Sequence, residues 1–288
     1  MRVGLFPGQG IAASDVLAAL PEDDPLVASA SEILGYDLRR KVRQACRSTT
    51  PVLPTDLAQP AIFVAGQVAL RDTEESFDAF FGHSLGEYSA LAASGSFSFK
   101  DGVRLVHARG VAMQRAAKMS PGGMVALLSL DGDQVVAICD RSGCSVANFN
   151  TPSQHVLSGS REALAGASRL AREAGGRAVL LPVNGPFHSA AMIPAADRLA
   201  EALVQATVRS PKVPVVSGVT ARPYRSPGEI RRLLLQQLTG PIVFAQGVSW
   251  LIARGADDFR DLGPGRVVGD LAERNRRSAL RLEATVGT

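Results

Sequence analysis

The apolar positions of this chain alternate between two textures from the first residues onward: short continuous runs and helical spacing. Residues 3–6 form a buried-strand pattern that stops at Pro7-Gly8-Gln9-Gly10, a turn. Helical spacing follows, with breaks, over 14–46. A proline-bounded loop covers 50–54, and a compact apolar stretch over 59–70 predicts a buried helix. Ala79-Phe80-Phe81 reads as a second strand, and the alanine-rich stretch after Glu87 as a helix. Residues 100–118 carry the clear spacing of an amphipathic helix. This alternation predicts an α/β core with a largely parallel sheet.

The texture changes near Ser120-Pro121-Gly122-Gly123. A strand is predicted over 124–130, a helix over 132–142, and strands over 145–149 and 155–158. A helix over 161–174 and a strand over 178–183 complete the order β-α-β-β-α-β, a ferredoxin-like arrangement. The chain is therefore expected to divide into a main domain, 1–118 with 187–288, and a small inserted domain, 119–186. The main domain resumes with a helix over 190–206, and strands over 213–216 and 258–262 complete its sheet.

Composition narrows the class. With 288 residues and 46% hydrophobic content, the chain has ample material for a sizeable core. No apolar run is long enough to cross a membrane, and the strand pattern that begins at Val3 leads to the expectation of no signal peptide. Cys46, Cys139 and Cys144 are odd in number, scattered, and without metal-ligand spacing, so they are expected to be reduced thiols of a cytoplasmic protein. The net charge is +4, with basic clusters at 39–43 and 274–277. These read either as solvated helix faces or as docking surface for an acidic partner. Aromatic content of 5% and the absence of a nucleic-acid module argue against nucleic acid.

The candidate chemistry centres on Gly82-His83-Ser84-Leu85-Gly86, a G-x-S-x-G nucleophile elbow in the strand–turn–helix setting that motif requires. A serine hydroxyl needs a base, and the chain has only four histidines. His83 lies inside the elbow and should point away from Ser84. His107 falls on roughly the opposite helix face from Arg109, and His155 fits an ordinary packed or surface histidine. His188, in the Pro- and Gly-bearing loop after Asn184, is the best base candidate, beside the alternative of a structural histidine. Arg109 shares the apolar helix face of Leu105, Val106 and Met113, so it must meet an anion: a buried Asp or Glu, or a substrate carboxylate. The glycines flanking Gln9 suit either a plain turn or a backbone donor to an oxyanion.

Taken together, these residues resemble the malonyl-CoA:acyl-carrier-protein transacylases and the related acyltransferase domains of polyketide synthases. The matching stretches run through almost the whole chain: Phe6 to Gly10, Gln59-Pro60-Ala61, Gly82 to Leu91, Arg104 to Gly110, Asn148 to Pro152, Pro186 to Ser189, Gln237-Leu238 with Pro241-Ile242, and Leu262 to Gly265. The resemblance implies an α/β-hydrolase-like large domain with a parallel sheet, and a small ferredoxin-like α+β domain inserted in it. It implies that Ser84 attacks an acyl-CoA thioester with His188 as base, and that the backbone N–H groups of Gln9 and Leu85 form the oxyanion hole. The main-chain carbonyl of Gln237 would orient the histidine, Arg109 would hold the malonyl carboxylate, and Phe187 would leave little room for an α-methyl branch. Asn150 joins the substrate-binding set through its matching stretch. No bound cofactor is implied; coenzyme A enters as the thioester substrate. The partner is a phosphopantetheinylated acyl carrier protein, with neither nucleic acid nor membrane, and the chain is expected to act as a monomer. One departure stands out. Gly10 is followed by Ile11-Ala12-Ala13, where the family usually places a small residue and then a second glutamine. This bears on the acyl group carried. A non-malonyl acyl group, passed even between carriers, and an editing acyl hydrolase are the alternative readings.

Overall fold

The computed structural model describes residues 1–286. In chain order the first part comprises β1 (Arg2–Phe6), α1 (Ala13–Ala18), α2 (Pro25–Leu34), α3 (Leu38–Ala45), α4 (Thr55–Asp72), β2 (Ala79–Gly82), α5 (Gly86–Ala93) and α6 (Phe99–Met119). Next come β3 (Gly123–Leu128), α7 (Gly132–Ser142), β4 (Ser145–Thr151), β5 (Gln154–Gly159), α8 (Arg161–Glu173) and β6 (Arg177–Leu180). The chain then runs through α9 (Ile193–Gln205), β7 (Val215–Val216), α10 (Pro227–Thr239), α11 (Phe244–Ile252), β8 (Asp258–Asp261) and α12 (Val267–Val286).

The larger sheet has the order β7-β2-β1-β8, and every neighbour pairs parallel. β1, β2 and β7 are buried on both faces beyond Arg2, which is why they read as continuous apolar runs, whereas the edge strand β8 is partly exposed and carries charge. Phe6 and Phe80 face a core shared with α4 and α6, whereas Val3, Leu5 and Phe81 face α11 and α12. Phe81 stacks on Phe244 with ring centroids 4.9 Å apart. Phe6 pairs with Gly82, so the carboxyl ends of β1 and β2 lie side by side and their turns leave the sheet at one edge. Parallel sheets carry their sites at that edge.

The smaller sheet is antiparallel, with order β4-β5-β3-β6. Val125, Leu127 and Leu157 turn toward α7 and α8, while Met124, Ala126 and Val156 turn toward the main core. This period-2 division makes one sheet face a wall of the cleft. The edge strand β4 is tied to the large domain: Phe149 N–H donates to the Ile242 carbonyl at 2.8 Å, and Ile242 N–H donates to the Ala147 carbonyl at 2.9 Å.

Some elements differ from the sequence expectation. The helix expected over 190–206 is a 3-10 turn, Ala190–Met192, followed by α9. Pro194 lacks the N–H that a helix running from Ala190 would need, so it sits in the first turn of α9 instead. β3 ends at Leu128 because Ser129 has φ of 63°. Helices α10, α11 and α12 have no counterpart among the predicted elements. No helix among the described residues is long and apolar enough to cross a membrane.

Candidate active site

Ser84 sits between β2 and α5 with φ of 54°, a left-handed conformation that costs a non-glycine residue roughly 1–3 kcal/mol. Its flanking glycines follow from the same tight turn. A Cβ on Gly82 would lie 2.0 Å from the Gly86 carbonyl carbon, and one on Gly86 would lie 2.0 Å from the Phe6 carbonyl oxygen. The G-x-S-x-G spacing is thus a packing requirement of β1, β2 and α5.

His188 also has positive φ, 59°, and its loop is pinned by two hydroxyls. Ser189 Oγ donates to the Pro186 carbonyl at 2.6 Å, and Ser158 Oγ donates to the Phe187 carbonyl. The result is a chain of contacts. His188 Nδ1 meets the Gln237 carbonyl at 2.7 Å, and Nε2 meets Ser84 Oγ at 2.8 Å. A carbonyl only accepts, so Nδ1 carries the proton and Nε2 is free to accept from the serine hydroxyl. Burial, reinforced by the Arg109 charge, drives the His188 pKa from 6.5 to about 3. The resting imidazole is neutral.

Arg109 projects from α6 and is 1% exposed. Its Nη1 donates to Gln59 Oε1 at 2.9 Å; its Nη2 donates to Ser84 Oγ at 3.1 Å and to Gln237 Oε1 at 3.0 Å. Every one of these acceptors is neutral, and Nε has no partner. Burial pulls the guanidinium below its ordinary pKa, while Tyr88 and Glu87 act in the opposite direction. The acidic side chain of Glu87, its pKa raised by burial, is reached through the Gln237 amide, whose Nε2 donates to the Glu87 carboxyl.

Among the described residues, neither the Gln9 nor the Leu85 backbone N–H is taken up by another protein group. Both flank Ser84, from the β1 turn and from the start of α5. They are available to an oxyanion. A cavity of about 230 Å³ opens on Ser84 and His188, bordered by Gln9, Ile11, Phe187, Asn150 and the Met124-Ala126-Val156 face of the small sheet. Phe187 and Gln9 also border a second cleft of about 170 Å³ that reaches Lys118 and Asn184. Asn150 Oδ1 faces His83 Nε2 at 2.9 Å, so His83 points away from Ser84 and ties the elbow to the small sheet.

Other candidates lie elsewhere. His107 packs against Tyr36, and His155 against Phe149. Arg39 and Arg43 both pair with Glu22, while Arg276 and Arg277 pair with Glu273. Cys139 is buried, which pushes its thiol pKa to about 12, far from reactive. Sequence reasoning gave no role to the side chains of Gln59, Glu87, Gln237 and Tyr224. Glu87 alone left a signal, as the one charge in an otherwise small and apolar helix beside the elbow.

Comparison with known proteins places this geometry in context. The acyl transferase domain family matches residues 5–283. The malonyl CoA-acyl carrier protein transacylase of Salmonella typhimurium is 37% identical over 283 residues, covering 94% of this chain and 91% of that protein. The crystal structure of an acyl carrier protein S-malonyltransferase from Vibrio cholerae aligns with a TM-score of 0.86 at 35% identity, covering 95% of this chain and 93% of that one. A malonyl-transacylase solved in complex with its type II PKS acyl-carrier protein aligns with a TM-score of 0.87 at 34% identity, covering 95% and 92%.

Proposed function

The chain belongs to the acyl transferase domain family and is an acyltransferase of the malonyl-CoA:acyl-carrier-protein transacylase type; on that premise, we propose that Ser84, His188 and Arg109 carry its reaction. The enzyme moves a malonyl group from coenzyme A to the phosphopantetheine thiol of an acyl carrier protein, in the setting of fatty-acid or polyketide synthesis. Ser84 Oγ attacks the thioester carbonyl while His188 Nε2 takes its proton. The tetrahedral oxyanion lies between the N–H groups of Gln9 and Leu85. Its collapse breaks the C–S bond, and the imidazolium returns the proton to the departing thiolate. The carrier thiol then repeats the sequence in reverse on the malonyl ester, which is ping-pong chemistry.

Arg109 takes the free malonyl carboxylate, and its contact with Ser84 Oγ sets the guanidinium beside the nucleophile. The same event tunes the base. Arg109 is the largest charge depressing His188, so a carboxylate on the guanidinium cancels that field and raises the imidazole's proton affinity when it is needed. Phe187 and Ile11 shape the acyl cavity, and Asn150 holds His83 against its wall. We divide the chain into a catalytic domain, 1–118 with 187–288, and a small domain, 119–186, as the apolar partition of the cores supports. A cytoplasmic setting is supported by three unpaired cysteines.

The observation that carries this reading is the unbroken chain Ser84–His188–Gln237, with a buried arginine closed on the same serine oxygen. Intact-mass spectrometry after exposure to malonyl-CoA tests it. One malonyl adduct is expected on the native enzyme and none on Ser84→Ala. Equal labelling of both would overturn the assignment.

A further inference from the structure

Glu87 lies in the first turn of α5, three residues beyond Ser84, and is completely buried. Its Oε1 accepts from the Tyr224 hydroxyl at 2.5 Å and from the Gly218 backbone N–H at 3.0 Å. Its Oε2 accepts from Gln237 Nε2. A backbone N–H and an amide –NH₂ can only donate, so both oxygens of residue 87 must accept. A carboxylate meets that demand; a carboxamide in its place meets it on one side only.

Gln237 is constrained in turn. The second hydrogen of its Nε2 goes to the Ser84 carbonyl at 3.1 Å, which leaves Oε1 turned toward Arg109 Nη2 at 3.0 Å. The amide therefore stands between the Glu87 carboxyl, whose pKa burial raises against its hydrogen bonds, and the Arg109 guanidinium, with its N–H end toward the first and its carbonyl end toward the second. Such an aligned chain is mutually polarising in a low-dielectric interior.

We propose that Glu87 is a positioning residue for the Arg109 clamp: through its bond to Gln237 Nε2 it fixes the Gln237 side chain with its carbonyl toward the guanidinium. The proposal rests on the reading of Arg109 as the holder of the malonyl carboxylate. Glu87 does not touch the reacting atoms; its effect runs through Gln237.

The test is the ratio of kcat/KM for acylation by malonyl-CoA to that by acetyl-CoA, since acetyl has no carboxylate for the clamp. With Glu87→Gln, two donors are forced together on one side of residue 87, Gln237 is displaced, and the ratio falls about tenfold, chiefly through KM for malonyl-CoA. Tyr224→Phe removes one support of the carboxylate without changing charge and lowers the same ratio about threefold; it carries the test should Glu87→Gln fail to fold. In an Arg109→Ala background, Glu87→Gln changes the ratio no further. An unchanged ratio in Tyr224→Phe and in folded Glu87→Gln overturns the proposal, as does an undiminished Glu87→Gln effect without Arg109. If Arg109→Ala itself leaves the ratio unchanged, the clamp reading falls first and this role falls with it. A ratio lost in Arg109→Ala but unaltered at residue 87 sinks the Glu87 role alone.

Discussion

The two sheets bordering the acyl cavity are built differently and contribute different things. The parallel sheet delivers its chemistry at strand ends: Gln9 after β1 and Ser84 after β2 arrive at one edge because Phe6 and Gly82 are paired. The antiparallel sheet delivers a face. Met124, Ala126 and Val156 line the cavity as alternate residues of regular strands. One sheet aims polar atoms through tight turns, and the other supplies an apolar surface through periodicity. Changes at the parallel edge should therefore remove the reaction, whereas changes on the antiparallel face should alter binding and stability.

Predictions that probe this contrast run from large effects to small. Ser84→Ala should lower transfer on the order of 10⁵-fold, measured by single-turnover acylation. Gly86→Ala forces a Cβ to within 2.0 Å of the Phe6 carbonyl oxygen and should cost at least about 3 kcal/mol in urea unfolding; a stable, active variant would refute the packing account of the elbow. Arg109→Ala should cut malonyl acylation roughly 100-fold and spare much of the acetyl reaction.

The same substitution sharpens the pH argument. Arg109 depresses His188, so removing it raises the imidazole pKa, and the acid limb of kcat/KM should move to higher pH. Stability shows the matching sign in the native protein. His188 is neutral when folded down to about pH 3 but protonates near 6.5 when unfolded, so its contribution is whole above pH 6.5 and shrinks as pH falls toward 3. Melting temperature measured across that window should decline on acidification, and a smaller decline is expected for His188→Ala. The smallest effect belongs to the contact with the antiparallel sheet. Asn150→Ala breaks the tie to His83 and should cost about 1 kcal/mol in stability, with kcat reduced only a few-fold.

What the sequence made legible follows the same division. The small domain reads clearly because its signals are local. Asp131 and Gln134 form a reciprocal capping box at the start of α7, and Gly143 closes that helix at φ of 75°. The Ser84–His188 approach was accessible because one elbow and four histidines leave few pairings, and Arg109 because an arginine among Leu105, Val106 and Met113 must turn inward. The last third of the large domain reads poorly. Helix α11 has no side-chain cap, so nothing marks its start. Helix α10 does carry a start signal, Ser226-Pro227 with Glu229, although no helix is predicted there. The Gln237 side chain and Tyr224 left no trace, because their importance lies in partners 150 and 137 residues away in the chain.

Both members of the reacting pair occupy the mirror-image region of the backbone map, Ser84 at φ of 54° and His188 at 59°. A glycine at either position would be more comfortable than the residue that is there, so these are sites where a sturdier molecule and a working one part company. The backbone is held there by the bonds the two side chains make, Ser84 with His188 and His188 with the Gln237 carbonyl, so the geometry that strains the chain is the geometry that reacts.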